Sequence, residues 1–109
     1  MIIPSFSQIM KILAIEKEVK ATTPENFQLH LKAEAQKVWE LQQQNIIRDI
    51  YFRADRSSAV LILECDSVDE AENILQTLPM VQANLSEFEI IPLKRYYGFK
   101  RLFDKNFND

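Results

Sequence analysis

From Met10 to Val19 apolar side chains occupy both odd and even positions, Met10, Ile12, Leu13, Ala14 and Ile15, before charge takes over at Glu16, Lys17 and Glu18. That pattern predicts a strand buried on two faces. Thr23-Pro24-Glu25 then supplies a helix start, with Thr23 as N-cap, Pro24 at the first helical position and Glu25 favourable to the helix dipole. A helix is expected from Pro24 to Gln44. At 100° per residue from Phe27, its residues Leu41, Phe27, Val38, Leu31, Ala35 and Trp39 fall between about −40° and +120°, a core-facing stripe. Asn45 stops the helix before Ile46 to Arg53, whose branched and aromatic content marks a second strand.

Ala54-Asp55-Arg56-Ser57 is a turn, so Ser58 to Cys65 is expected to return as the second arm of a hairpin. Its centre, Ala59 to Leu63, is again apolar on both parities. Ser67-Val68-Asp69-Glu70 has capping-box spacing, and Val68, Ala71, Ile74, Leu75 and Leu78 line one face of the helix it starts, with Pro79 ending it. A fourth strand, Phe88 to Leu93, carries Pro92, which suits an edge position because proline donates no ladder hydrogen bond.

The order βαββαβ is that of an α+β, ferredoxin-like unit, a four-stranded antiparallel sheet in the order 4-1-3-2 with two helices on one face. Two helices cover only one face of such a sheet, yet strands one and three are apolar on both. The uncovered face needs a partner, and pairing two sheets from two chains gives a homodimer of the dimeric α+β barrel type. Residues 10–95 form this domain. Residues 1–9 are read as an N-terminal arm, and 96–109 as a C-terminal tail whose Tyr96, Tyr97, Phe99, Leu102, Phe103 and Phe107 dock on the barrel or a neighbouring chain.

Composition narrows the chemistry. Of 109 residues 47% are apolar and 27% charged, in the range of a single globular domain, and no apolar run approaches the length of a membrane-spanning helix. One Gly excludes phosphate-cradling loops and the dinucleotide fingerprint, which need several. One Cys and one His exclude a structural zinc site and an internal disulfide, so the reading carries no metal and no cofactor. The net charge of −3, with scattered basic residues, argues against nucleic acid. Without a secretory signal pattern, a cytoplasmic location is expected.

Leu31-Lys32-Ala33-Glu34 on the first helix, Arg48-x-x-Tyr51 on the second strand, Ser67-Val68-Asp69-Glu70-Ala71, Leu75-x-x-Leu78-Pro79 and Glu89-x-x-Pro92-Leu93 are together similar to the muconolactone isomerase family. The similarity spans roughly Met10 to Gly98, and its Leu-Pro and Glu-x-x-Pro-Leu pieces are the most specific. It implies the dimeric barrel fold, higher oligomers built from such dimers, and proton transfer between carbons of an unsaturated lactone without metal or cofactor. Around the second strand, where that family tends to carry Trp, His and Gly, this chain has Ile47, Asp49 and Asp55.

Several side chains are candidates for such chemistry. Glu34 falls at about −20°, inside the apolar stripe, where desolvation raises a carboxyl towards the range useful to a general acid or base. The alternative is a carboxylate at the helix edge, hydrogen-bonded to a sheet or tail group. His30 precedes it by one turn, as a catalytic partner or a solvated border residue. Glu16 shares the parity of Ile12 and Ala14 and reaches the strand end near Tyr51, Arg53 and Ser58, which suits an organic acid or, alternatively, a surface ion-pair network. Arg48 precedes Ile50 on the same face and either holds substrate or pairs with Glu64 across the strands. Trp39 is a core residue or a wall of the ligand site, Phe52 and Phe88 are core, and Cys65 lacks the basic neighbour a reactive thiol needs. The leading function is a cofactor-free isomerase acting on a small unsaturated lactone or carboxylic acid, with Glu34 or Glu16 as base and Arg48 or Arg53 as anion holder. The alternatives are a non-catalytic ligand-binding or assembly domain and, less compatible with one His, a metal- or haem-dependent oxygenase.

Overall fold

A computed structural model describes residues 9–17, 19 and 23–104. Along them run β1 (Met10–Lys17), α1 (Pro24–Gln43), β2 (Ile47–Phe52), β3 (Ala59–Cys65), α2 (Val68–Leu75), α3 (Pro79–Gln82) and β4 (Glu87–Leu93), followed by a 3-10 turn at Gly98–Leu102. The strands form one antiparallel sheet in the order β2-β3-β1-β4, which is the α+β, ferredoxin-like topology expected from the pattern of elements. Pro92 stands on an edge strand. Most of the expected arm, and Phe107 of the tail, lie outside the described residues.

Local chemistry sets the boundaries. Thr23 caps α1 by accepting a hydrogen bond from the Asn26 amide, and Asn45 takes the left-handed conformation (φ 63°) that turns the chain into β2. The Ser67 hydroxyl accepts from the Glu70 amide at the start of α2. The second helical segment differs from expectation: α2 stops at Leu75, and Pro79 opens the separate short helix α3 instead of ending α2. A proline both interrupts a helix and suits the first position of the next. Leu78, between the two, is still fully buried.

One core lies between the sheet and the helices. Ile12 and Ala14 of β1, Ile47 of β2 and Leu61, Leu63 and Cys65 of β3 meet Leu41 of α1, Ala71 and Leu75 of α2 and Leu78. Each fully buried aliphatic side chain contributes about 1.5–3 kcal/mol. The stripe on α1 is rotated from its expected centre. Leu41 is buried and Phe27, Glu34 and Val38 are half-buried, whereas Leu31, Ala35 and Trp39 are exposed, Trp39 by 57%. The helix packs its −60° to +20° flank inward, against α3 and β2, so Trp39 is not a core residue. Phe52, at the end of edge strand β2, is also exposed, whereas Phe88 packs against the core as expected.

The register of β2 holds a further correction. Ile47 pairs with Leu63 but Asp49 pairs with Ile62, so Arg48 is an extra residue in the strand. It turns towards Glu64 on the helix-free face, whereas Ile50 opposes Leu61 on the helix side, so the two do not share a face.

On the helix-free face Leu13 and Ile15 adjoin Ile62 and Val60 on one side and Ile91 on the other, all only half-buried. Tyr96, Tyr97, Phe99, Leu102 and Phe103 of the tail are exposed too, with Tyr96 and Phe99 edge to face at 5.0 Å. The described part of the tail thus leaves these side chains exposed in the single chain.

Candidate active site

At the carboxyl end of β1, where the β2–β3 hairpin turns, a pocket of about 540 Å³ opens beside Glu16. Ile15, Val19, Phe27 and Leu85 give it apolar walls, and Lys17, Arg53 and Arg56 place cationic side chains around it, with Ser57, Ser58 and Glu89 completing the wall. An apolar recess with a few charged groups of both signs suits a small organic anion.

Glu16 is held at both oxygens. Its Oε1 accepts from the Ala59 amide (2.9 Å) and its Oε2 from the Ser86 hydroxyl (2.7 Å). These bonds tie the end of β1 to the first residue of β3 and to the residue before β4. The carboxylate is thereby oriented by two groups at the strand ends.

Glu34 sits behind the pocket and is not part of its lining. Its Oε1 accepts from the Met80 amide at 2.9 Å. Loss of water pushes its carboxyl above the ordinary glutamate value, with the nearby Glu16 charge acting in the same sense, while the Met80 N–H and His30 partly offset them. The partner of Glu34 is thus an amide of the short helix α3, not a sheet or tail group, and its carboxyl is raised although it is hydrogen-bonded. His30, half-buried, acts on Glu34 through its field.

Arg53 lines the pocket while gripping Asp55 with two nitrogens, Nε to Oδ1 at 2.9 Å and Nη2 to Oδ2 at 2.6 Å. That grip holds the Asp55 carboxyl below its ordinary value. The remaining candidates lie elsewhere. Tyr51 is exposed on the helix-free face opposite Val60, and Trp39 is exposed on α1. Arg48 lies at the other end of the sheet, donating to Asn45 Oδ1 (3.2 Å) and facing Glu64 at 3.5 Å, with Lys11 on the second Glu64 oxygen. The structure brings Glu16 and Arg53 together, sets Glu34 and His30 behind them, and leaves Arg48, Tyr51 and Trp39 outside.

A family model described as muconolactone delta-isomerase matches residues 12–98, from the middle of β1 to the start of the 3-10 turn. The chain belongs to the muconolactone delta-isomerase family. No curated protein matches the chain. The matched span includes every residue that lines the pocket. Among its described residues there is no helix long and apolar enough to cross a membrane, and no group of three or more His, Cys, Asp or Glu that could hold a metal ion. Cys65 is buried, its Sγ 3.7 Å from the Ser67 carbonyl, and burial pushes its thiol up, away from the reactive thiolate.

Reasoning from the pattern of residues overlooked Arg56, Phe27, Leu85 and Ser86. Arg56 looked like a turn residue and Phe27 like core. Nothing in Leu85-Ser86 signalled that a loop residue would grip Glu16, because that contact spans 70 positions of sequence.

Proposed function

We propose that this chain is a cofactor-free isomerase of small unsaturated lactones or carboxylic acids, with its site in the pocket beside Glu16. The observation that carries the reading is a fixed carboxylate at the edge of an apolar recess ringed by Arg53, Arg56 and Lys17. In this reading Glu16 takes a proton from the γ-carbon of the conjugated lactone or acid. The C–H electrons move into the conjugated system as a dienolate, whose oxygen charge the guanidinium groups stabilise. The Glu16 carboxyl, exchanging its proton with water, then delivers one to the carbon next to the carbonyl, and the double bond has moved with no net gain or loss of atoms or electrons. Glu34, whose carboxyl is raised by burial, is the further candidate acid or base of this reading.

The reading includes a homodimer or larger homo-oligomer formed through the helix-free face, where a partner would bring Tyr51, and its own copy of that residue, into covered positions. A cytoplasmic location goes with it. A non-catalytic binding domain is the second reading, favoured by the engagement of both Glu16 oxygens. One experiment separates them: the protein in D₂O with muconolactone, followed by proton NMR. Turnover with deuterium entering the migrating position, and a loss of about 100-fold or more in Glu16→Gln, is the expected result. Binding without exchange in the native protein assigns the pocket to the second reading.

A further inference from the structure

Ser58 is nine-tenths buried in the pocket wall, and its hydroxyl has no hydrogen-bond partner among the described residues. Its backbone groups are both used: the N–H donates to the Arg56 carbonyl (2.8 Å) and the carbonyl accepts from the Arg53 amide (2.9 Å). The side chain alone is left over. A buried hydroxyl without a partner destabilises a fold relative to a methyl group of the same shape, so the chain carries here a polar atom that its own packing does not use. The neighbouring Glu16 carboxylate does not supply the bond, being engaged with Ala59 and Ser86. Rotation of the Ser58 side chain to another staggered position would turn its Oγ to the pocket, where an oxygen of a bound molecule supplies the missing partner.

We propose that Ser58 is a specificity residue, its hydroxyl donating to a neutral oxygen of the bound molecule. The electrostatics select which oxygen. A ligand carboxylate is drawn to Arg53, Arg56 and Lys17 and kept away from Glu16, so the oxygen that reaches Ser58 beside Glu16 is an uncharged carbonyl, ring or hydroxyl oxygen. The pocket thus distinguishes an oxygenated acid from a purely aliphatic one of equal length, because a site built to hydrogen-bond an oxygen loses that bond to an analogue lacking it. This inference rests on the reading of the pocket as the substrate site.

The test uses two probes that differ in one oxygen, 4-oxopentanoate and pentanoate, titrated by ligand-observed NMR into the native protein, Ser58→Ala and Ser58→Cys, with thermal melts of all three. The native protein is expected to bind the keto acid at least about fivefold more tightly. In both variants the ratio falls to about one, pentanoate affinity is unchanged, and the melting temperature of Ser58→Ala is equal or higher. A ratio preserved in the variants, or a Ser58→Ala protein that is less stable or fails to fold, overturns the proposal by giving the hydroxyl a structural partner. Equal binding of both acids by the native protein overturns it while leaving the pocket as a ligand site. Binding of neither acid removes the pocket reading as well.

Discussion

Replacing Glu16 tests whether one side chain both serves the pocket and clips three segments together. Glu16→Ala leaves two donors without their acceptor, the Ala59 amide and the hydroxyl of Ser86, a residue only 2% exposed. A buried donor left unsatisfied costs about 1–3 kcal/mol, and water reaches the half-buried Ala59 more easily than Ser86, so a loss of about 2–5 kcal/mol is expected. Glu16→Gln keeps the Ala59 bond through Oε1 and turns its amide towards Ser86, exchanging charge-assisted bonds for neutral ones at about 1–2 kcal/mol. For a domain of this size each kcal/mol lowers the melting temperature by about 4–8 °C. Urea unfolding followed by circular dichroism gives both values, and adding Ser86→Ala completes a double-mutant cycle. A coupling energy of about 1–2 kcal/mol between Glu16 and Ser86 is expected. Alanine and glutamine variants of equal stability, or a coupling energy near zero, would refute the clip and with it the argument that Glu16 is oriented by its two bonds.

Glu34→Gln probes the desolvated carboxyl. Because the folded group titrates above its unfolded value, ionising it weakens the fold, and that penalty is absent below the unfolded pKa and grows as pH rises through the folded one. The variant should therefore gain on the native protein between pH 4 and pH 8 in thermal melts, and a difference that shrinks over that range contradicts the assignment. Ile62→Glu places a charge at the centre of the apolar helix-free face, and sedimentation is expected to show the native protein as a dimer or a multiple of it and the variant as a smaller species. A native protein that is monomeric at micromolar concentration rules out that use of the face. Removing residues 99–109 takes away exposed Phe99, Leu102 and Phe103 and should lower thermal stability or change the sedimenting mass, whereas no change in either would show that the tail docks nowhere.

How much of this could be read from residues alone follows the range of each interaction. Thr23-Pro24, Asn45 and Ser67 act within three or four positions, and each set an element boundary where expected. The two-sided apolar content of β1 and β3 placed them at the centre of the sheet, and Pro92 put β4 at its edge. The parity of Glu16, together with the parallel run of β1 and β2, was enough to bring it near Arg53 and Ser58. What escaped depends on long-range packing. The rotation of α1 that exposes Trp39 is decided by α3, a helix that Pro79 concealed. The hydrogen bonds from Ser86 to Glu16 and from Met80 to Glu34 join residues 70 and 46 positions apart, beyond the reach of any local pattern.

The extra residue at Arg48 has a consequence for how this chain is compared with its relatives. Strand β2 is written in two phases: Ile47 belongs to one alternation, and Asp49, Ile50, Tyr51 and Phe52 belong to another displaced by one position. A relative lacking that residue would be shorter by one position here and still present the same side chains to the same sides. A gap placed after Asp49 would superpose inward-facing positions on outward-facing ones, and would set Asp49 against the inward-facing place of Ile50.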